Sequence, residues 1–319
     1  MIDFRYHVVS IIAVFLALAL GLFVGSTSLQ DAVVHTINSK ADRVSHQNDA
    51  LRAQVSTLRD DVKNGQNFDK ALLPYAVTGR LSGQLVAVVS APGTSDSLRK
   101  QVLATLDDAG ATVSADVRLQ DTLVNPSQDG FLTALTQRVT IPGHDEPPDA
   151  TGAQRAASQL ATVLGVRPSV HGVAPTTIDT VLSAYTTGKL VSINSKDGSV
   201  RPGTLALVLT GPPPPPTADP KSVQAQQDFV LGLLRDLDHT ALGAVLAAPT
   251  PPQGAAGDMT AAAADAGDLT KQASTVTGAD TPAGLIATVF ALAGQVDGVG
   301  GRYGPGAQAS PLPTTSNAP

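Results

Sequence analysis

The 319-residue sequence contains no cysteine, and its only methionines are Met1 and Met259. Disulfide bonds, iron–sulfur clusters, thiolate-bound zinc and thiol nucleophiles are therefore excluded. Soft metal ions prefer thiolate and thioether ligands. The sequence thus gives no sign of a high-affinity site for a soft metal ion.

The sequence is also poor in charge and in catalytic motifs. Charged residues make up 15% of the chain and the formal net charge is −6, which argues against nucleic acid as a partner because phosphate binding needs a basic surface. The turn Ala91-Pro92-Gly93 lacks the glycine spacing of a dinucleotide site and the lysine of a P-loop, and neither G-x-S-x-G nor H-E-x-x-H occurs. We therefore expect no enzymatic activity.

One long hydrophobic run is present near the start of the chain. Residues 8–25 are interrupted only by Ser10, and as a helix they would extend about 27 Å, close to the thickness of the hydrocarbon core of a bilayer. Unlike a secretory signal, the run is preceded by only one basic side chain, Arg5, and no cleavage signature follows Gly25. We predict an uncleaved transmembrane helix; the alternatives are a cleaved signal and a buried core helix.

The sequence around and within this run predicts orientation and self-association. Because Arg5 and the N-terminal amine precede the run, the positive-inside rule keeps residues 1–7 in the cytoplasm and the bulk of the chain outside the plasma membrane. Small residues recur every four positions on one face, where they let two helices approach closely in lipid. They are Ala13, Ala17, Gly21 and Gly25. This face indicates a helix dimer, although alanine and glycine are common enough here for the match to arise by chance.

A heptad pattern follows over residues 26–64. Mostly apolar residues alternate at spacings of three and four, which is typical of a coiled coil. The seam residues are Val34, Ile37, Ala41, Val44, Asn48, Leu51, Val55, Leu58 and Val62. Asn48 is the one polar member, as in seams that fix their register, and Asn64-Gly65 predicts the helix end, with a linker over 65–82. We predict a parallel homodimer; the alternative is an amphipathic helix that lies back on its own globular domain.

Residues 83–303 predict an α/β domain. Short apolar runs, each consistent with a buried strand, occupy 85–90, 112–117, 189–194, 204–211, 243–249 and 273–278. Helical stretches that separate them include 96–109, 154–164, 221–237, 255–266 and 282–295. This alternation indicates a mostly parallel, doubly wound sheet covered on both faces. Residues 125–148 are predicted to form loops or a helical insert.

Two other segments have unusual composition. Residues 212–216 are five consecutive prolines, which we interpret as a rigid connection to a helix capped by Asp219; the alternative is a loop that docks a partner. Residues 304–319 are predicted to be a disordered tail. The predicted fold is therefore a single transmembrane helix that continues into a coiled-coil stalk, an α/β domain and a tail.

The best candidate metal ligands are His144, Asp145 and Glu146, which are adjacent in sequence, together with His171. Histidine and carboxylate side chains are common metal ligands. The alternative is that all four are solvated loop residues with no ligand.

Both ends of the chain carry motifs that are similar to those of a known protein family. Arg5, His7 and Ser10 lie in the opening run, and Gly300-Gly301-Arg302-Tyr303-Gly304 lies near the end. Together with the order of anchor, heptad helix and α/β domain, they resemble the MctB copper transporter family of actinobacterial envelope proteins. The matched motifs contain no residue with a known ligand role.

The resemblance implies a role in copper efflux or copper homeostasis. An outer-membrane channel is proposed for the family. For related proteins, the resemblance implies a cell-envelope and division factor as partner. No cofactor is evident, and copper enters by resemblance alone. The residues argue against a channel formed by this chain itself, because one membrane span encloses no pore. The apolar runs also lack the alternation of apolar and polar residues that barrel strands have. We expect an anchored extracytoplasmic protein that acts on copper through an envelope partner. The alternatives are an envelope or division scaffold without a metal role and, third, an outer-membrane channel.

Overall fold

The computed structural model describes residues 4–144, 147–168, 172–194, 200–252, 257–267, 269–305 and 309–313, and for residues 26–39 and 270 it describes the backbone alone. The chain divides into two units, Met1–Gly65 and Gln66–Pro319. The described part of the first unit is entirely helical, and the second unit contains a seven-stranded sheet.

A single helix, α1 (Phe4–Val77), accounts for all of the described residues of the first unit and the start of the second. The prediction that the helix ends at Asn64-Gly65 is wrong, and residues 66–77 are helical rather than part of a linker. A glycine in a helix interior costs only about 1 kcal/mol relative to alanine, and the glutamine, lysine, alanine and leucine residues that follow favour helix. The helix ends just after Pro74, whose ring cannot donate a backbone hydrogen bond.

The sheet of the second unit is mostly parallel, as predicted. Its strands are β1 (Leu85–Ser90), β2 (Thr112–Leu119), β3 (Val191–Ile193), β4 (Leu205–Leu209), β5 (Gly243–Ala247), β6 (Ser274–Val276) and β7 (Arg302–Tyr303). They lie in the order β3-β2-β1-β4-β5-β6-β7. Every neighbouring pair is parallel except β2 and β3, which are antiparallel.

Helices connect the strands and cover the sheet. They are α2 (Asp96–Asp108), α3 (Asp121–Val124), α4 (Asp129–Arg138), α5 (Gly152–Leu164), α6 (Pro175–Thr187), α7 (Pro220–Thr240), α8 (Met259–Asp265), α9 (Leu269–Gln272) and α10 (Pro282–Val296). Ser95 Oγ accepts a hydrogen bond from the backbone of α2. Asp219 caps α7, as predicted. Helix α4 matches the predicted helical insert, whereas α6 was not predicted.

Each face of the sheet carries a hydrophobic core. On one face Val89 packs with residues of α5 and α7, among them Leu160 and Leu233. On the other face Val88 packs with α2, α10 and the end of α1, where Val77 is fully buried. Strands that are buried on both faces have no polar side to expose, which explains their continuous apolar runs.

Part of the predicted disordered tail is ordered. The backbone N–H of Ser310 donates to the carbonyl oxygen of Arg302 at 2.9 Å, and Ser310 forms an isolated bridge with Tyr303. The chain therefore returns to the edge of the sheet beside β7. The rest of the predicted tail, residues 306–308 and 314–319, lies outside the described residues.

Candidate functional sites

The first candidate site is the membrane span. Residues Phe4–Gly25 have a mean hydropathy of 2.8, and no part of that window is buried within the protein. This helix is long and apolar enough to cross a membrane. The family-motif residues Arg5, His7 and Ser10 lie exposed in its first two turns.

The small-residue face of the span is open. A methyl group added at Gly21 or Gly25 would meet no atom within 4 Å, and Ala13 and Ala17 are exposed. Self-association through this face stays a prediction.

The heptad seam lies on the exposed surface of α1. Val44, Leu51, Val55, Leu58 and Val62 expose between 45% and 63% of their surface. Ala41 and Asn48 are exposed as well, whereas the side chains of Val34 and Ile37 are outside the described residues. The seam is helical throughout, but the coiled coil itself stays a prediction. An apolar stripe of this kind is typical of a helix that pairs with another helix.

The strand order creates a possible ligand crevice, in which the structure brings two loops into contact and leaves a cavity of about 320 Å³ beside them. Doubly wound sheets bind ligands beyond the carboxyl ends of the strands where the winding reverses, here between β1 and β4. A methyl group added at Gly211, after β4, would lie 2.2 Å from the carbonyl oxygen of Gly93, after β1. Thr94 Oγ1 also donates to the Leu209 carbonyl oxygen at 3.1 Å. The two loops therefore touch where a dinucleotide would need to enter.

The polyproline loop lines one side of this cavity. Pro213 and Pro214 are half-buried, and Pro214 lies against Gly257. Gln226 of α7 donates to the Pro92 carbonyl oxygen at 3.1 Å, which ties α7 to the loop after β1. At the end of the loop, the Asp219 carboxylate accepts from Ser222, and these hydrogen bonds lower its pKa. These contacts are those of a rigid strand-to-helix connection.

Of the four predicted metal ligands, the structure describes His144 alone, so their grouping stays a prediction. The imidazole of His144 lies 3.2 Å from both Ser158 Oγ and Thr162 Oγ1 on α5. Asp145, Glu146 and His171 lie outside the described residues. Among the residues that are described, no group of three or more histidine and carboxylate side chains is placed to hold a metal ion.

A large cavity of about 1030 Å³ lies near His144, between α4, α5 and α7. Its lining mixes the aromatic ring of Phe229 with Arg155, Arg235 and Asp236. Burial raises the pKa of Asp236, while the positive charge of Arg235 and the nearby histidines acts in the opposite direction. Sequence periodicity did not single out this cavity, because its walls come from three separate helices.

A buried ion pair was also missed by the sequence analysis. Arg99 of α2 donates from Nη1 to Oδ2 of Asp116 on β2, and both side chains are only 7% exposed. Asn194 donates to the same carboxylate oxygen at 3.2 Å. Arg99 Nε and Asp116 Oδ1 are buried without a hydrogen-bond partner. The signal in the sequence was an aspartate between the buried residues Ala115 and Val117 of β2.

The closing motif forms the outer edge of the sheet. Tyr303 is 5% exposed, its hydroxyl donates to the Gly300 carbonyl oxygen at 3.2 Å, and burial raises its pKa. A methyl group added at Gly301 would meet that hydroxyl at 2.4 Å. Gly304 has a φ of +113°, and a methyl group there would lie 2.2 Å from the Thr277 carbonyl oxygen. The glycines and the tyrosine of the motif therefore have a packing role.

Comparisons with known proteins agree with the likeness of the two ends. The family described as "Copper transport outer membrane protein, MctB" matches residues 1–313. The chain is 26% identical over 313 residues to proteins named copper transporter MctB from Mycobacterium tuberculosis and Mycobacterium bovis, covering 96% of this chain and 97% of theirs. It is 27% identical over 315 residues to the protein of that name from Mycobacterium leprae, with the same coverage.

Proposed function

Because the chain belongs to the MctB family of copper transport outer membrane proteins, we propose that it acts in copper export or copper tolerance as a membrane-anchored part of a larger envelope assembly. The observation that carries this proposal is the match over residues 1–313, which includes the apolar helix, α1 as a whole and the α/β unit. A copper-related role is the family's; the anchored, assembled mode is our proposal for this chain.

The architecture supports a proposal of assembly over one of transport by a single chain. Within the described residues there is one helix suited to crossing a membrane, and a single helix encloses no pore. The sheet is covered by helices on both faces, and its strands are buried apolar runs. A transport path would therefore have to be completed by other chains.

We further propose that the chain forms a parallel homodimer through α1. The exposed seam from Val44 to Val62 and the small-residue face of the span support the same pairing. The sequence has no cysteine, so single introduced cysteines report helix pairing without background. Val55→Cys on the seam is expected to cross-link two chains under mild oxidation in membranes, whereas Ala53→Cys, on the opposite side of α1, is not. Equal cross-linking at both positions would contradict the dimer.

The copper role is tested in a strain from which the gene is deleted. We expect the strain to be inhibited at lower copper concentrations than the parent and to accumulate more cellular copper, and the full-length gene to restore both. Leu51→Asp on the seam is expected to restore neither, whereas the matched control Ala53→Asp restores both. Unchanged copper sensitivity and copper content in the deletion strain would contradict the copper role.

The alternative is an envelope scaffold without a metal role. It is compatible with the contact between the loops after β1 and β4 and with the lack of a metal-binding group among the described residues. Under this alternative the deletion strain shows altered morphology and cell-wall resistance at normal copper tolerance. The same strain therefore separates the two functions in one set of measurements.

A further inference from the structure

One residue of the closing motif is left without a packing role. Arg302 is half-exposed, and its guanidinium forms no ion pair and no hydrogen bond with any described residue. Its glycine and tyrosine neighbours in the motif are accounted for by close packing. A half-buried arginine has five donors to satisfy, so its surroundings indicate what it could bind.

Arg302 borders a small cavity between the β6–β7 edge and the start of α8. The cavity has a volume of about 280 Å³. Arg302 and Thr275 are paired in register on adjacent strands, so their side chains lie on the same face of the sheet. That face is turned toward α8, because Asp258 and Thr260 line the cavity as well.

The lining combines one cation, one carboxylate and several hydroxyls. Thr250, Thr260, Thr275 and Thr277 supply the hydroxyls. No described residue hydrogen-bonds the Thr275 hydroxyl, and Thr277 Oγ1 is buried beside the cavity without a partner. These groups are placed around a space large enough for a small organic molecule rather than for a polymer.

The charges select the class of ligand. An arginine guanidinium binds carboxylates through two parallel hydrogen bonds. Asp258 accepts from Thr260 at 2.9 Å for the backbone N–H and 3.0 Å for the hydroxyl, both through Oδ1. Oδ2 accepts only from that hydroxyl, at 3.2 Å, and so retains capacity to accept from a ligand.

We propose that this cavity binds a small carboxylic acid that carries an amino or hydroxyl donor beside its carboxylate. The carboxylate pairs with Arg302 and with the Thr275 hydroxyl. The adjacent donor hydrogen-bonds to Asp258. A ligand without the donor leaves the remaining acceptor capacity of Asp258 Oδ2 unused, and a ligand without the carboxylate leaves Arg302 without an anionic partner.

The test is calorimetric titration of the full-length protein in detergent micelles. The probes are D- and L-alanine and lactate, with acetate lacking the donor and ethanolamine lacking the carboxylate. We expect alanine or lactate to bind with a dissociation constant below about 1 mM and at least tenfold more tightly than acetate or ethanolamine. The affinity for alanine compared with that for lactate shows whether the site prefers an amino acid or a hydroxy acid. No saturable binding, or equal binding of acetate, would overturn the proposal.

Variants connect the binding to these residues. Arg302→Gln is expected to weaken binding at least tenfold and Arg302→Lys less, while Arg201→Gln, an exposed arginine on another part of the surface, leaves it unchanged. Thr275→Val removes the hydroxyl and keeps the shape of the buried side chain. It provides a second measurement of binding if Arg302→Gln does not fold. Binding that both Arg302→Gln and Thr275→Val leave intact would also overturn the proposal. The copper phenotype of the deletion strain does not enter this test.

Discussion

Removal of the Asp116 carboxylate leaves the Arg99 guanidinium buried without an ionic partner. Both side chains are 7% exposed, so water cannot replace the lost interaction. Breaking a buried pair by removing one partner costs about 3–5 kcal/mol of unfolding free energy. We therefore expect Asp116→Ala to destabilise the α/β unit by about that amount.

The same two elements provide a control. Arg118 of β2 pairs with Asp96 of α2, with side-chain exposures of 35% and 64%. Exposed ion pairs contribute about 1 kcal/mol or less, so Arg118→Gln is expected to be nearly neutral. The double variant Arg99→Met with Asp116→Leu removes both buried charges, and such replacements are often neutral or stabilising.

Urea unfolding of the full-length protein in detergent measures these differences. Near-ultraviolet circular dichroism follows the unfolding through Tyr185 and Tyr303, whose rings are buried in the two cores. A loss below about 1 kcal/mol for Asp116→Ala, or a double variant as unstable as the single one, would refute the reasoning that burial makes this pair costly to break.

Three further outcomes are expected. Gly304→Ala should lower the free energy of unfolding by about 2–4 kcal/mol, because the positive φ and a carbonyl oxygen 2.2 Å from the new carbon both oppose the substitution. Gly298 has a φ of +72° but open space around it, so Gly298→Ala should lose only the contribution of the positive φ, about 1–2 kcal/mol, in the same urea assay. Burial raises the pKa of Asp236, so the stability of the protein falls as pH rises from about 4 through the raised pKa. Asp236→Asn should have a higher melting temperature than the parent protein at neutral pH and the same one near pH 3. A lower melting temperature of the variant at neutral pH would contradict this. A cysteine at Asp3 should resist a membrane-impermeant maleimide in whole cells while one at Lys40 reacts, and the reverse would invert the predicted orientation.

Local signals predicted the parts of the fold that depend on neighbours in sequence. Asp219 caps its helix as expected, because capping requires only a side chain and the first turn of the helix. The strands at the centre of the sheet were found because burial on both faces makes them apolar throughout. The end of α1 was misplaced because Gly65 breaks the hydrophobic pattern without ending the helix.

The remaining features depend on contacts that are distant in sequence. The two-residue strand β7 depends on β6 as its partner, and the antiparallel direction of β3 is visible only in its pairing with β2. The Arg99–Asp116 pair joins two elements whose packing the sequence does not specify. For the candidate site, the sequence identified the closing motif as a unit, but only the structure separates its packing residues from Arg302.

Both edge strands of the sheet are short. The outer strands β3 and β7 contain three and two residues, and the chain folds back over β7 at Ser310. An unpaired strand of ordinary length is a template for addition of a foreign strand and hence for aggregation. The described edge strands β3 and β7 are shorter than such a template. Where copies of this chain lie close together, its short edge strands therefore disfavour joining of their sheets edge to edge.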